Sequence, residues 1–497
     1  MKACGGKECI SARSPPRGLP FGYMTQIHEL TMAGLAAAIH ERQLSPVDVA
    51  NHYLRRTEEL NAQVGAFYTV TAELALEQAR AAEKALTERS GSALLPPLLG
   101  VPIPIKDLNS VADVRQTFGS SVYDDYVPAG DDYVVASIRS AGAVITGKTA
   151  TPEFGLPCYT ETAVGPPART PWDLARSAGG SSGGAAAAVA ARLAPAAQGS
   201  DGGGSIRIPS SVCGLFGIKP SRGRVSEGPI VPDLFGLATN GPIARTVADA
   251  ALLLDVMTGN YPGDMYTLPP LPEGETFLGC ARRDPGRLRI GRTMVPVVEG
   301  ADVHPDCVAA YEDASALLSD LGHDVEDMAL PIGPDVVPYF ETLWYAHATL
   351  APIDPAREDR LLPFTRYMRE RGLATGAGEL IFAQAYLQAV QRPALAAMNA
   401  YDVILTPTLA SPPAPVGYFT EVDPAENFER QKRFTPFTAA YNLSGQPAVS
   451  LPLYWNADGL PIGVMLAGRI GGEGTLISLS AQVEQARPWQ DRVPPGF

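Results

Sequence analysis

Histidine and cysteine are scarce in this chain of 497 residues, which holds six of each. Both are dispersed: no H-x-x-x-H spacing occurs, and Cys158, Cys213, Cys280 and Cys307 form no C-x-x-C pair. The pattern argues against a structural zinc site or a disulfide framework and points to reduced thiols in a cytoplasmic protein. Positive charge is also short. Lys and Arg number 39 against 53 Asp and Glu, a net charge of −14. Clustered cations are what neutralise a phosphate backbone, and none are found, so nucleic acid is not an expected partner. Long apolar runs are missing too. A membrane span needs about 20 such residues, whereas the alanine-rich stretch 185–197 is shorter and carries Arg192 and Pro195. No membrane association is expected. Residues 1–23 lack the apolar segment of a secretory signal and read as a flexible leader, with Met24 an alternative start.

What is present suits a large buried core: 45% of the residues are hydrophobic and 19% charged. The pattern alternates helix and strand. Ser45-Pro46-Val47-Asp48 has an N-cap serine, a proline at the first helical position and an early acidic residue, so a helix is predicted over 45–60. Helices are also predicted near 31–39, over 71–88 and 133–141, and as an amphipathic element over 245–257. A segment 101–105, with alternating prolines, reads as an edge or irregular strand. Strands are expected over 143–146, up to Lys219, and over 401–405, 447–453 and 462–467. Strand, helix and strand repeat through 288–290, 304–321 and 323–325, residues 330–400 are mostly helical, and 475–485 is a closing helix. With no internal repeat and no Pro/Ser-rich linker, 24–497 reads as one mixed α/β domain, least regular over 295–435.

The chemistry concentrates in residues 177–209. Two glycine-rich turns there each contain serine beside glycine: Gly179-Gly180-Ser181-Ser182-Gly183-Gly184 and Ser200-Asp201-Gly202-Gly203-Gly204-Ser205. Glycine turns are ordinary loop filler in many chains. They also let consecutive backbone N–H groups converge on an anion. A phosphate loop is one reading, although no Gly-Lys-Ser/Thr ending follows. A developing oxyanion is the other. A serine nucleophile needs a base, and no histidine lies near these turns. Lys106, at the end of the apolar run 101–105, is the candidate, its alternative being a solvated lysine leaving the core.

The segment GGSSGG…VAARLAPAAQGSDGGGSIRIPSSVCGLFGIKPSRGRVS resembles the defining signature of the amidase signature family. GVPIPIKD resembles its lysine motif, GKTATPEFG and GPIARTVAD its flanking motifs, and YNLSGQPA its C-terminal strand entry. The resemblance covers about residue 30 to the C-terminus and is weakest over 295–435. It implies an α/β fold with a large mixed β-sheet core flanked on both faces by helices, and a variable, mostly helical substrate lobe. It further implies an amide hydrolase working through a serine acyl-enzyme. Carried over, Ser205 is the nucleophile, Ser181 a bridging serine on a cis peptide, and Lys106 the base. Gly202, Gly203 and Gly204, with the Ser205 N–H, become the oxyanion hole. Ser182, Asp201 and Arg207 take structural roles, the last two as an ion pair. Cys158 and Tyr159 become candidate substrate contacts. Phe340 and Trp344, which share a helical face with His347, read either as core packing or as the wall of an aromatic or apolar acyl pocket. No cofactor or metal is implied. The expected partner is a small-molecule amide, and a homodimer is compatible. The family also contains carbamate and ester hydrolases and the catalytic subunit of a tRNA-dependent amidotransferase, which are the alternative activities. Ser200, Gly202 and Ala178 stand where the family commonly has threonine, a larger residue and proline.

Overall fold

Among the described residues two sheets organise the fold, one of three strands and one of eight. The computed structural model describes residues 26–88, 94–229 and 234–497, so the leader expected at 1–23 lies outside the described residues. Helix α1 (Met32–His40) starts at Thr31, whose hydroxyl accepts from the Gly34 N–H. Its next free donors, the N–H groups of Met32 and Ala33, go to the buried carboxylate of Asp249 at 2.9 Å. Helix α2 (Pro46–Val64) begins as its N-cap sequence predicts and continues past residue 60 to Gly65, whose φ of 62° ends it. Helix α3 (Ala72–Glu88) follows strand β1 (Phe67–Val70).

The small sheet has the order β1-β3-β2, with β2 at Ile105–Lys106 and β3 at Gly147–Thr149. Strand β2 is short and lies at the edge, as Pro102 and Pro104 require. The strand expected at 143–146 forms instead at β3. Val144 is tied to the 101–103 segment by single bonds, and the prolines of that segment offer no N–H to extend a ladder. Helix α4 (Tyr133–Ser140) precedes this crossing.

The alanine-rich run divides. Helix α5 (Gly183–Ala190) is buried along its whole length, and the chain then turns at Arg192, which has φ 58°, into strand β4 (Ala196–Ser200). Pro195 and the left-handed Arg192 keep the run from continuing as one helix. Helix α6 (Arg207–Cys213) leads to β5 (Phe216–Lys219), and β6 (Asn240–Ala244) to helix α7 (Val247–Met257). Helix α7 is not amphipathic in its setting, because α1, α4, α8 (Phe277–Cys280) and the sheet enclose it.

Strand β7 (Arg289–Arg292), helix α9 (Pro305–Asp320) and strand β8 (Asp324–Asp327) form a parallel crossover at one edge of the large sheet. The lobe that follows holds α10 (Val337–His347), α11 (Pro363–Ala374) and α12 (Ala377–Met398). Strand β9 (Val403–Pro407) returns to the sheet; α13 (Pro424–Phe434) and α14 (Ala440–Leu443) precede the β10 (Ala448–Trp455) and β11 (Pro461–Gly468) pair, and α15 (Glu473–Ala486) closes the chain. The large sheet runs β4-β6-β5-β10-β11-β9-β7-β8 and is mixed: antiparallel up to β9, parallel from there to β8. Among the described residues no helix is long and apolar enough to cross a membrane.

Helix α5 sits between the small sheet and the large one, which explains its small residues. A Cβ on Gly184 would stand 2.2 Å from the Ala150 nitrogen and 2.4 Å from the Ala66 carbonyl oxygen. Both obstacles are backbone and cannot swing aside. Gly184→Ala is therefore expected to destabilise the protein by about 1–3 kcal/mol through overpacking, read as a lower thermal unfolding midpoint.

Candidate active site

Lys106 ends the edge strand β2 and is fully buried, 0% exposed, so the solvated reading does not hold. Its Nζ is hydrogen-bonded to Ser181 Oγ at 2.7 Å and to Ser200 Oγ at 3.0 Å, and it donates to the Ser200 carbonyl at 3.2 Å. Burial pushes the amine down to about 7, against the opposing pull of the Asp201 and Glu227 carboxylates. Near neutral pH the amine is then present in both its charged and its uncharged form.

The first glycine turn carries Ser181 to this amine. Gly179 has φ 73° and the Gly180–Ser181 peptide is cis, the conformation expected at this serine. Gly180 packs so closely on the backbone of Tyr159 that a Cβ there would lie 2.7 Å from the Tyr159 nitrogen. Ser182 faces the second turn. Its N–H donates to the Ser205 carbonyl at 3.1 Å, its hydroxyl donates to the Ser200 carbonyl at 3.1 Å, and the same oxygen accepts from the Ser200 N–H at 3.2 Å. The two turns are thus stitched together through the neighbour of Ser181.

The second turn wraps around a buried ion pair. Arg207 meets Asp201 with two parallel bonds of 2.9 and 2.8 Å, and neither side chain is exposed. Burial alone would raise the Asp201 carboxyl, but the Arg207 charge and its hydrogen bonds hold it well below the usual carboxylate range. Asp201 also accepts from the N–H groups of Gly204 at 2.7 Å and Ile206 at 3.1 Å. Gly204 was expected to supply an oxyanion donor; its N–H is directed to this carboxylate instead. Among the described residues, the N–H groups of Gly202, Gly203 and Ser205 have no protein acceptor.

Ser205 is 7% exposed and opens onto a cavity of about 110 Å³. Phe340 and Trp344 line it together with Gly203, Leu156, Cys158 and Ile208. The two rings stack at 5.6 Å, and His347 continues the stack on Trp344 at 5.6 Å. Burial pushes His347 down to about 4, which leaves it neutral. The aromatic face therefore packs and lines at once. Cys158 reaches this cavity with its N–H donated to Gln431 Oε1 at 2.9 Å, and burial pushes its thiol up, away from a thiolate. Tyr159, its neighbour, faces elsewhere. Its hydroxyl accepts from Asn427 Nδ2 at 2.8 Å, its ring stacks on Phe419, and it lines a separate cavity of about 410 Å³.

Several contributors were not singled out from sequence. Asn442 Nδ2 donates to the Asp201 carbonyl and carboxylate, and Thr438 Oγ1 donates to the Gly203 carbonyl at 2.6 Å. Glu341 and Lys432 form an ion pair of 2.5 Å in the wall of the Ser205 cavity. Asn442 lies inside the YNLSGQPA motif, a signal that could have pointed to it; Thr438 and the ion pair come from segments with no local mark.

Comparison with known proteins agrees with this architecture. The Amidase family model matches residues 48–477. A putative amidase, AmiB2, of Mycobacterium tuberculosis (strain ATCC 25618 / H37Rv) is 40% identical over 472 residues, covering 94% of this chain and 98% of that protein. The structure of a 6-aminohexanoate cyclic dimer hydrolase superposes with a TM-score of 0.86 at 31% identity, covering 94% of this chain and 99% of that one. A bacterial aryl acylamidase of the amidase signature enzymes superposes with a TM-score of 0.85 at 25% identity over 95% and 99% of the two chains. On the family match, these likenesses and the shared sheet architecture, the chain belongs to the amidase signature family, hydrolases of carbon–nitrogen amide bonds.

Proposed function

We propose that this amidase cleaves a carboxylic amide with an aryl or apolar acyl group through an acyl-enzyme on Ser205. The observation that carries the reading is the 2.7 Å contact between a buried, weakly basic Lys106 amine and Ser181 Oγ. A serine hydroxyl becomes a competent nucleophile only when a base can take its proton. Lys106, uncharged, draws a proton from Ser181; Ser181 draws one from Ser205; Ser205 Oγ then attacks the amide carbonyl. The charge that develops on the carbonyl oxygen is met by the N–H groups of Gly202, Gly203 and Ser205, donors with no competing protein acceptor among the described residues. The Gly203 carbonyl, held by Thr438, and the Gly204 N–H, held by Asp201, keep that loop from turning its donors away. The relay run in reverse protonates the leaving nitrogen, and water releases the acid by the same path.

The substrate class follows from the cavity wall. Phe340, Trp344, Leu156, Ile208 and Val336 offer apolar contact beside Ser205. An aryl or apolar acyl group fills such a space while the amide reaches the loop.

Two outcomes are expected. Ser205→Ala should lower kcat on an aryl amide by several orders of magnitude, on the order of 10⁴–10⁶-fold, and mass spectrometry of a slow ester substrate should find the acyl adduct on Ser205 in the parent enzyme. Full activity in that variant sinks the mechanism. Because the working form of Lys106 is the uncharged amine, kcat/KM should be highest above about 7 and fall as the pH drops through that value, where the amine gains its proton. A profile flat from pH 5 to 9, about the range in which shifted groups titrate, would contradict the assignment of the base.

A further inference from the structure

The reacting groups do not share one sheet. Lys106 belongs to β2 of the small sheet, whereas Ser200 ends β4 of the large sheet and Ser205 lies in the turn beyond it. Their spacing therefore depends on how the two sheets are joined. Gln198 sits at that junction, on β4, fully buried. Its Oε1 accepts from the Lys106 backbone N–H at 2.8 Å. Its Nε2 donates to Asn109 Oδ1 at 2.8 Å and to Asn240 Oδ1 at 2.7 Å. Its own backbone N–H donates to the Pro104 carbonyl at 3.2 Å. Asn240 in turn donates its N–H and Nδ2 to the two carboxylate oxygens of Glu227, at 2.7 and 3.0 Å. Glu227 is half-buried and lies at the edge of a cavity of about 340 Å³ that it shares with Arg222, Asp264 and Tyr266. A continuous line of hydrogen bonds thus runs from the Lys106 backbone to a carboxylate at a second cavity.

Packing alone does not call for this arrangement. A buried primary amide is costly unless its donors and acceptor are met, and the preceding residues on β4, Ala196 and Ala197, are apolar and equally buried. The carboxamide is met in full, and one strand holds Lys106 at both ends: the backbone through Gln198 and the amine through Ser200. We propose that Gln198 is a positioning residue for the Lys106 amine, fixing the small sheet against the large one, and that Glu227 is the charged anchor of its hydrogen-bond chain. The charges around Lys106 are few. Asp201 is paired with Arg207, Asp107 on the next position is paired with Lys148 at 2.8 Å, and Glu227 lies at the far end of the Gln198 hydrogen-bond chain. Of these, Asp201 and Glu227 act on the amine, both favouring its protonated form.

The inference rests on Lys106 being the base, and its test keeps the two apart. In the full chain, Gln198→Leu leaves the Lys106 N–H, Asn109 Oδ1 and Asn240 Oδ1 without their partner. It is expected to lower kcat on an aryl amide about 10²-fold, the cost of a misplacement near 1 Å, with KM little changed. Glu227→Gln keeps an oxygen for Asn240 but removes the charge, so the acid limb of the pH–kcat/KM profile should move to lower pH. A Gln198→Leu enzyme that melts at a lower temperature yet turns over at the parental rate when folded has only a structural glutamine, and the proposal fails. It fails as well if Glu227→Gln leaves the acid limb in place, a reading that stands even if Gln198→Leu does not fold. Should Ser205→Ala be dead while both variants behave as the parent, the acyl-enzyme reading survives and this inference alone is lost.

Discussion

The buried pair of Asp201 and Arg207 is the constraint on which the site is built. Withdrawing both charges from water is costly, and the cost is offset only where geometry is good and the remaining hydrogen-bonding capacity is met. Both conditions hold here. The guanidinium also donates to the Thr438 carbonyl and to Asn442 Oδ1, and the carboxylate collects N–H groups from its own turn. The bonds to Asp201 bend the chain tightly between residues 201 and 207. That bend places Ser205 at the cavity, and the N–H groups of Gly202 and Gly203 have no acceptor among the described residues. The pair also reaches the C-terminal third through Thr438 and Asn442, so segments some 230 residues apart in the chain close on one loop.

Lys106 shows the complementary use of burial. Its amine has hydroxyl and carbonyl neighbours and, among the described residues, no carboxylate within hydrogen-bonding reach. Desolvation then decides its proton affinity, and the carboxylates of Asp201 and Glu227 restore only part of what burial removes. Lys148, equally buried one strand away, has Asp107 directly against it and serves as half of an ion pair. Two lysines on neighbouring strands thus differ in their partners: Lys148 meets a carboxylate, Lys106 two hydroxyls and a carbonyl.

Local signals were readable where the physics is local. The cap at Ser45, the proline at the start of α2, and the edge position forced by Pro102 and Pro104 all depend on residues within a few positions. Strands β1, β4 and β6 were not read. Ala196–Ser200 and Asn240–Ala244 are short, buried on both faces and rich in small residues, so they show no period-two alternation. Their strand character comes from pairing with each other across some 45 residues of sequence. The position of Tyr159 away from the Ser205 cavity, and the diversion of the Gly204 N–H to Asp201, are likewise outcomes of packing that a motif does not encode.

By itself the sequence determined the cast: Lys106, two serine-bearing glycine turns, an Asp and an Arg beside the second turn, and an aromatic face in a helical lobe. It also determined the starts of α1 and α2, because a cap such as Thr31 or Ser45 is settled by the side chain and the nearest N–H groups. Tertiary structure decided what those residues are. Only folding buries Lys106 and so weakens its base strength, directs the Gly204 N–H to the Asp201 carboxylate, and ties the small sheet to the large one through Gln198. Desolvation and long-range hydrogen bonds depend on what packs around a group, and here those neighbours come from remote parts of the chain.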